Sequence, residues 1–257
     1  MDGKWIKTVF KTKSLPAHND KRLLGMKINW DTKSRSGAFA WVPFAKLNLL
    51  RNPFGELVQE DRIAAAIIDW DLIEPFLNRP RVALQFWGEC GHGKTTHLLA
   101  ILDHLQHAQY VYLAEDEKCP PIPEPAENET LIIDEAQRLP FWTKRRIFKR
   151  DAPLILGTHR DFRKHLQRCG YEVHSITFEN QLRPERLQEI INRRIELARF
   201  QKGDIPQISL QESQKLCHQF GDNIREIESL MFDTFQSMAN EKTGTANDTI
   251  ENLSFVS

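Results

Sequence analysis

Three glycines, a lysine and two threonines crowd into Gly88-Glu89-Cys90-Gly91-His92-Gly93-Lys94-Thr95-Thr96, and their order fits the pattern G-x-x-x-x-G-K-S/T. Glycines let the backbone curl until successive N–H groups converge, which makes a cradle for phosphate oxygens. An apolar run of strand length, Arg81 to Trp87, comes just before, and a stretch with helical spacing, Lys94 to His107, just after. The start of that helix adds its positive dipole end to the cradle. Lys94 can then bridge the terminal phosphates of a nucleotide, and Thr95 can offer its hydroxyl to Mg²⁺.

Two further strand-like runs end in polar residues. Leu131-Ile132-Ile133-Asp134-Glu135 closes on adjacent carboxylates. Asp134 at the strand tip can hold the water shell of a magnesium ion, and Glu135 can act as general base on a water in line with the last phosphate. The plainer reading of Glu135 is a cap for the next helix. Leu154 to Thr158 ends in Thr158-His159-Arg160, where Thr158 or His159 could orient that water; a solvated strand-end turn is the alternative. Further on, Gly221-Asp222-Asn223-Ile224-Arg225 sets Arg225 at a helix start, where the dipole disfavours a cation unless an anion is its partner.

These residues need a scaffold in which strands and helices alternate. Arg81–Trp87, Tyr110–Leu113, Leu131–Asp134, Leu154–Thr158 and Val173–Phe178 read as strands; Lys94–His107 and the stretches near Trp142–Phe148 and Asp161–Gln167 read as helices. Alternation of this kind implies a parallel sheet with helices on its faces. Ile63 to Leu77 reads as a helix stopped by Asn78-Arg79-Pro80. Four prolines in Cys119 to Pro125 forbid a helix where one would normally return between parallel strands. Beyond Glu179 the pattern turns wholly helical, with apolar stripes at Leu187, Ile190, Ile191, Ile195 and Ala198 and from Ile224 to Met238, and a short helix over Leu210–Phe220 between them. The expected division is a basic, partly ordered arm over 1–50, a core over 51–179, a helical lobe over 180–239 and a loose tail over 240–257.

Charge narrows the classes. Lys+Arg and Asp+Glu are equal at 35 each, so the chain as a whole is not a nucleic-acid coat, although residues 1–35 hold nine Lys/Arg against three Asp. A second basic cluster, Lys144, Arg145, Arg146, Lys149 and Arg150, is interleaved with Trp142 and Phe148. It reads either as a solvated helix face or as a groove for nucleic acid. The four cysteines form no C-x-x-C pair, which argues against zinc and for reduced, mostly buried thiols. No apolar run approaches a membrane span, and a cytoplasmic address is expected.

The assembled pieces resemble an AAA+ ATPase, within the additional-strand class of P-loop enzymes. Gly88 to Thr95 looks like Walker A, Leu131 to Glu135 like Walker B, Leu156 to His159 like sensor 1 and Gly221 to Arg225 like sensor 2 on a lid. The chain is similar to ATPases of origin recognition, transposition accessory factors and secretion pathways, in which an Asn-Pro-Phe segment precedes the P-loop, here Asn52-Pro53-Phe54. The resemblance covers residues 50 to 238. It implies an α/β fold, a three-layer P-loop NTPase sandwich with a parallel five-stranded sheet in the order 5-1-4-3-2 and a small C-terminal all-helical lid. ATP and Mg²⁺ would sit between sheet and lid, with adenine near Arg51 to Phe54. Glu135, Lys94, Thr158 and Arg225 would be catalytic, Gly88 to Thr96 would line the nucleotide, and Thr95 and Asp134 would face the metal.

The expected activity is hydrolysis of ATP to ADP and phosphate, driving a conformational change in a partner complex. A homo-oligomer, a partner protein and DNA are the partners in view. The proline-rich link puts an ordinary hexamer in doubt. For an arginine finger, Arg168 fits the family position best, with Arg160 and Arg163 behind it. The rivals are a nucleotide-gated switch with little turnover, a small-molecule P-loop kinase, and a DNA-bound regulator that relies on its basic arm.

Overall fold

Five runs rich in Val, Leu and Ile form strands: β1 (Val82–Trp87), β2 (Ala108–Tyr112), β3 (Thr130–Asp134), β4 (Leu154–Thr158) and β5 (Glu172–Thr177). All pair in parallel, in the order β2-β3-β4-β1-β5, which is the expected 5-1-4-3-2 read from the other edge. The computed structural model describes residues 43–89, 91, 93–126, 129–177 and 182–240. The expected arm up to residue 42 and the expected tail from 241 lie outside these, as do Cys90 and His92 of the glycine-rich loop.

Because successive strand side chains face opposite ways, the sheet carries two cores. Leu84, Phe86, Ile132 and Ile155 point to one face, where α2 (Lys94–His104) covers them with Leu98 and Ile101. Leu131, Ile133, Leu154 and Leu156 point to the other, covered by α3 (Phe141–Ile147) and α4 (Arg163–Arg168) through Ile147, Phe148, Phe162 and Leu166. On that second face the segment after β2 stays irregular, as its prolines require, and Ile122 takes over part of the covering. Arg150 fastens this link by donating to the carbonyl of Pro123 at 2.8 Å.

The expected helix over Ile63–Leu77 is not formed as one piece. A short α1 (Gln59–Ala65) ends at Ala66, whose ψ of 135° is extended, and two single 3-10 turns follow at Trp70–Leu72 and Glu74–Phe76. Tertiary contacts are the cause. Carbonyls at and just past the end of α1 accept hydrogen bonds from arginines of another helix, Ala64 from Arg193 at 2.7 Å and Ile67 from Arg186. Pro75 also prevents a continuous ladder.

Those arginines belong to α5 (Pro184–Leu197), which with α6 (Leu210–Phe220) and α7 (Ile224–Asn240) makes the helical lobe. A capping box starts α6: Ser209 Oγ accepts from the Glu212 N–H while the Glu212 carboxylate accepts from the Ser209 N–H. The lobe's core joins Leu187, Ile191, Ile195, Leu216, Ile227, Met231 and Phe235 to three residues from far upstream, Phe44, Leu49 and Phe54. Leu49 is bridged to Arg199 in antiparallel fashion, so the segment from Phe44 onward packs as part of this lobe. Among the described residues no helix is long and apolar enough to cross a membrane.

Candidate functional site

Parallel strands send all their C-terminal ends to one edge, and the crevice there is where open α/β sheets take ligands. The C-terminal ends of β1, β3 and β4 meet at that edge, with α1, the start of α2, α5 and the start of α7 around them. The cleft is lined by Gly91, Gly93, Lys94, Thr95 and Thr96 on the loop side and by Glu135 and His159 from two strand ends. Arg186, Arg194 and Arg225 line it from the helical lobe.

Gly91 has φ +88°, a conformation L side chains rarely adopt, and the lobe comes close to it. A Cβ there would lie 3.3 Å from Arg225 Cβ and 3.4 Å from Asn223 Oδ1. The loop and the first turn of α7 therefore touch, although 134 positions separate Gly91 from Arg225 (225 − 91 = 134). Lys94 is 5% exposed and donates to the carbonyls of Gly88 at 2.9 Å and Glu89 at 2.6 Å. Its ammonium thus lies across the loop that its own backbone forms.

Asp134 is fully buried and its carboxylate is held on three sides. Thr95 Oγ1 donates to Oδ2 at 2.7 Å, Tyr110 Oη donates to Oδ2 at 3.1 Å, and the Glu135 N–H donates to Oδ1 at 3.0 Å. Burial raises the Asp134 pKa and these three hydrogen bonds oppose the rise. Tyr110 is pushed far up by burial and by the Asp134 charge, which keeps its proton in place to donate. The carboxylate has room only because residue 157 is glycine: a Cβ there would meet Asp134 Oδ1 at 2.5 Å and Leu98 Cδ1 at 2.7 Å.

Glu135 differs from its neighbour in every respect. Its backbone is left-handed, φ 60° and ψ 38°, which turns its side chain out of the strand and into the cleft. Gln137 Nε2 donates to it at 2.7 Å, Arg138 pairs with it at 3.2 Å, and His159 Nε2 lies 3.3 Å from Oε1. Gln137 also accepts the His159 N–H at 3.1 Å, so one side chain ties the ends of β3 and β4 together. Thr158 does not line the cleft. It is fully buried, and its hydroxyl both donates to the Arg160 carbonyl and accepts the Arg160 N–H, each at 3.0 Å. His159, the other strand-end candidate, is the one that faces the cleft.

The Asn52-Pro53-Phe54 segment is fastened to the lobe more than it is presented to the cleft. Asn52 donates to the Phe232 carbonyl at 2.9 Å and accepts the Phe54 N–H at 3.0 Å. Phe54 reaches the cleft wall and packs on Phe235 with ring centroids 5.4 Å apart. Arg194, 7% exposed, donates to the carbonyls of Pro53 and Gly55 at 3.1 Å each, pairs with Glu228 and lies over the Phe54 ring. Reading the sequence missed Arg194, and a signal was present: it sits three residues after Ile191 and one before Ile195, a charge inside an apolar stripe. His97, one turn into α2, was also missed. It contacts the Gly93 carbonyl at 3.0 Å, and burial depresses its pKa to about 4. Of the arginine-finger candidates, Arg160, Arg163 and Arg168 are all exposed and none lines this cleft.

The oxygen set at the floor suits a small hard cation. The Thr95 hydroxyl and the Asp134 carboxylate are hard donors within 2.7 Å of each other, of the kind Mg²⁺ takes while keeping most of its water. Among the described residues no group of three or more His, Cys, Asp or Glu forms a protein-only metal cage. A cation here would complete its shell from phosphate and water.

No protein-family model and no curated protein matches the chain. Among solved structures, that of Drosophila ORC bound to DNA is similar at 16% identity and a TM-score of 0.30, over 66% of this chain. The chain spans 52% of the length of that ORC chain.

Proposed function

We propose that the chain binds ATP with Mg²⁺ in this cleft and hydrolyses it, in the manner of AAA+ ATPases, with the helical lobe acting as a lid. The observation that carries the proposal is the convergence of Lys94, the Thr95–Asp134 pair, Glu135 and the lobe's Arg225 on one cleft at the strand ends. Loop N–H groups and the Lys94 ammonium bind phosphate oxygens, with Lys94 leaving the Gly88 and Glu89 carbonyls as it does so. Thr95 and Asp134 hold the magnesium ion, which when bound withdraws charge from the phosphates. Glu135 takes a proton from the attacking water, His159 beside it fixes the direction of that carboxylate, and Arg225 neutralises charge on the terminal phosphate. Loss of that phosphate releases Arg225, and the lobe opens for a partner to sense.

A second reading, a nucleotide switch with little turnover, is favoured by one observation. Glu135 is already engaged by Gln137, Arg138 and His159, and a carboxylate so held has to leave these partners before it can reach a water. Phosphate release measured on the wild type, Lys94→Ala and Glu135→Gln tests both. ATPase function requires wild-type release that Glu135→Gln lowers by about 10²–10⁴-fold while nucleotide still binds. Binding without release supports the switch, and absence of nucleotide binding by the wild type rejects both.

A further inference from the structure

Away from the cleft, α3 turns a single face to solvent. At about 100° per residue, Phe141, Trp142, Arg145 and Arg146 fall within an arc of about 140°, Lys149 follows in the turn after the helix, and all five are exposed. Trp142 is 75% and Phe141 60% exposed, and their rings meet edge-on with centroids 5.1 Å apart. Two aromatic rings this exposed are outside what packing requires. The Phe148 noted in the sequence plays no part, being fully buried.

The neighbouring α4 continues the charge. Lys144 lies 5.3 Å over Phe162 at the approach to α4, and Lys164 and Arg168 are exposed along it. Residues 141–170 hold nine Lys/Arg against two Asp, a net of 9 − 2 = +7 in a chain whose formal charge is zero. Among the described residues no carboxylate pairs with Arg145, Arg146, Lys149, Lys164 or Arg168, whereas Arg150 pairs with Glu124 and Arg163 with Asp161. His165, on α4, packs edge-on against the Phe148 ring at 5.2 Å, which joins the two helices under this face.

We infer that the α3–α4 face binds single-stranded nucleic acid, with Arg145, Arg146, Lys149 and Lys164 on its phosphates and Trp142 stacked on an unpaired base. Charge complementarity selects a polyanion, and the exposed rings select one with free base faces, which a duplex does not offer. This face is separate from the cleft, so the inference stands whatever nucleotide the cleft takes.

The test is fluorescence anisotropy of labelled 30-nucleotide dT and rU strands, a 30-base-pair duplex and poly-glutamate, with the full chain and no nucleotide. One or both single strands bind, and four phosphate contacts weaken that binding about 50-fold from 50 to 200 mM salt, at a slope of about −0.7 per contact. Trp142→Ala costs about tenfold, Trp142→Phe far less, and Arg145→Glu with Lys149→Glu removes binding. The better of dT and rU names the natural strand. The inference is overturned if neither strand binds, if poly-glutamate or duplex binds as tightly, or if binding survives both Trp142→Ala and the double charge reversal, which would move it to the basic N-terminal segment.

Discussion

The floor and the roof of the cleft are built in opposite ways. The floor comes from three short pieces, 91 with 93–96, 134–135 and 159, each at or just past the end of a strand, so the parallel sheet alone brings them to one edge. The roof comes from single arginines, Arg186, Arg194 and Arg225, that reach the cleft from helices with no common motif. Floor residues have partners within about 40 positions, as with Lys94 and the Gly88 carbonyl, Gln137 and Glu135, or Thr95 and Asp134. Two of the roof arginines bond across more than a hundred positions, Arg194 to the Pro53 and Gly55 carbonyls and Arg186 to the Ile67 carbonyl. A floor of this kind sets which chemistry is available, and a roof of this kind sets how firmly the two lobes are joined over it.

Substitutions can separate the two. The largest stability loss is expected in the roof. Arg194→Ala strands Glu228 and leaves two backbone carbonyls without their donor, which costs about 3 kcal/mol in urea unfolding. An Arg194→Ala protein as stable as wild type would break the claim that this residue ties residues 53–55 to the helices of the lobe.

In the floor, the pH dependence of stability reports His97. Its folded pKa near 4 lies below the ordinary 6.5, so the unfolded chain binds the proton more readily. Stability from this group is fully present above about pH 6.5 and is lost as pH falls toward 4, by about 3 kcal/mol in all. His97→Gln flattens that slope relative to wild type, and unfolding midpoints taken at several pH values in this window check it. An unchanged slope would place the cause elsewhere.

Gly157→Ala is the next smaller effect on stability, about 2 kcal/mol, because both atoms the new methyl would meet are themselves buried. It displaces the Asp134 carboxylate, so Mg²⁺-dependent nucleotide binding falls more than stability alone explains. Isothermal titration with and without Mg²⁺ reads that difference, and equal losses in both would count against Asp134 as a metal ligand. Arg225→Ala is the mildest, lowering nucleotide affinity or turnover about tenfold while the fold is unchanged, since this arginine is exposed. If neither quantity moves, the roof contributes packing and no phosphate contact.

Periodicity made most of the elements legible. Leu154–Thr158 and Leu210–Phe220 are formed to the residue, and the other strands and long helices begin or end within a few positions of expectation. The chain between Ile63 and Leu77 was misread for a definite reason. Its apolar spacing does favour a helix, but Arg186 and Arg193 compete for its carbonyls, and neither lies in any local window. Thr158 and His159 show the same limit at the site. Both end a strand and both are polar, but one strand faces its side chains alternately, so the hydroxyl turns inward to the Arg160 backbone while the imidazole reaches Glu135.

By itself the order of residues determined the parallel α/β alternation, the glycine-rich loop opening a helix, the acidic strand end and the proline-rich link that cannot be helical. These depend on local physics: backbone freedom at glycine, a missing N–H at proline, and side-chain periods of 2 and 3.6. Tertiary structure alone decided that Phe44, Leu49 and Phe54 would fill the core of a lobe formed more than 130 residues later. It also decided that the His159 imidazole would reach Glu135, and that Arg194 would be buried at the cleft wall. The Arg194 contacts form only once the lobe has packed around residues 53–55, because a buried charge is tolerated where its partners surround it, and here those partners come from two distant segments.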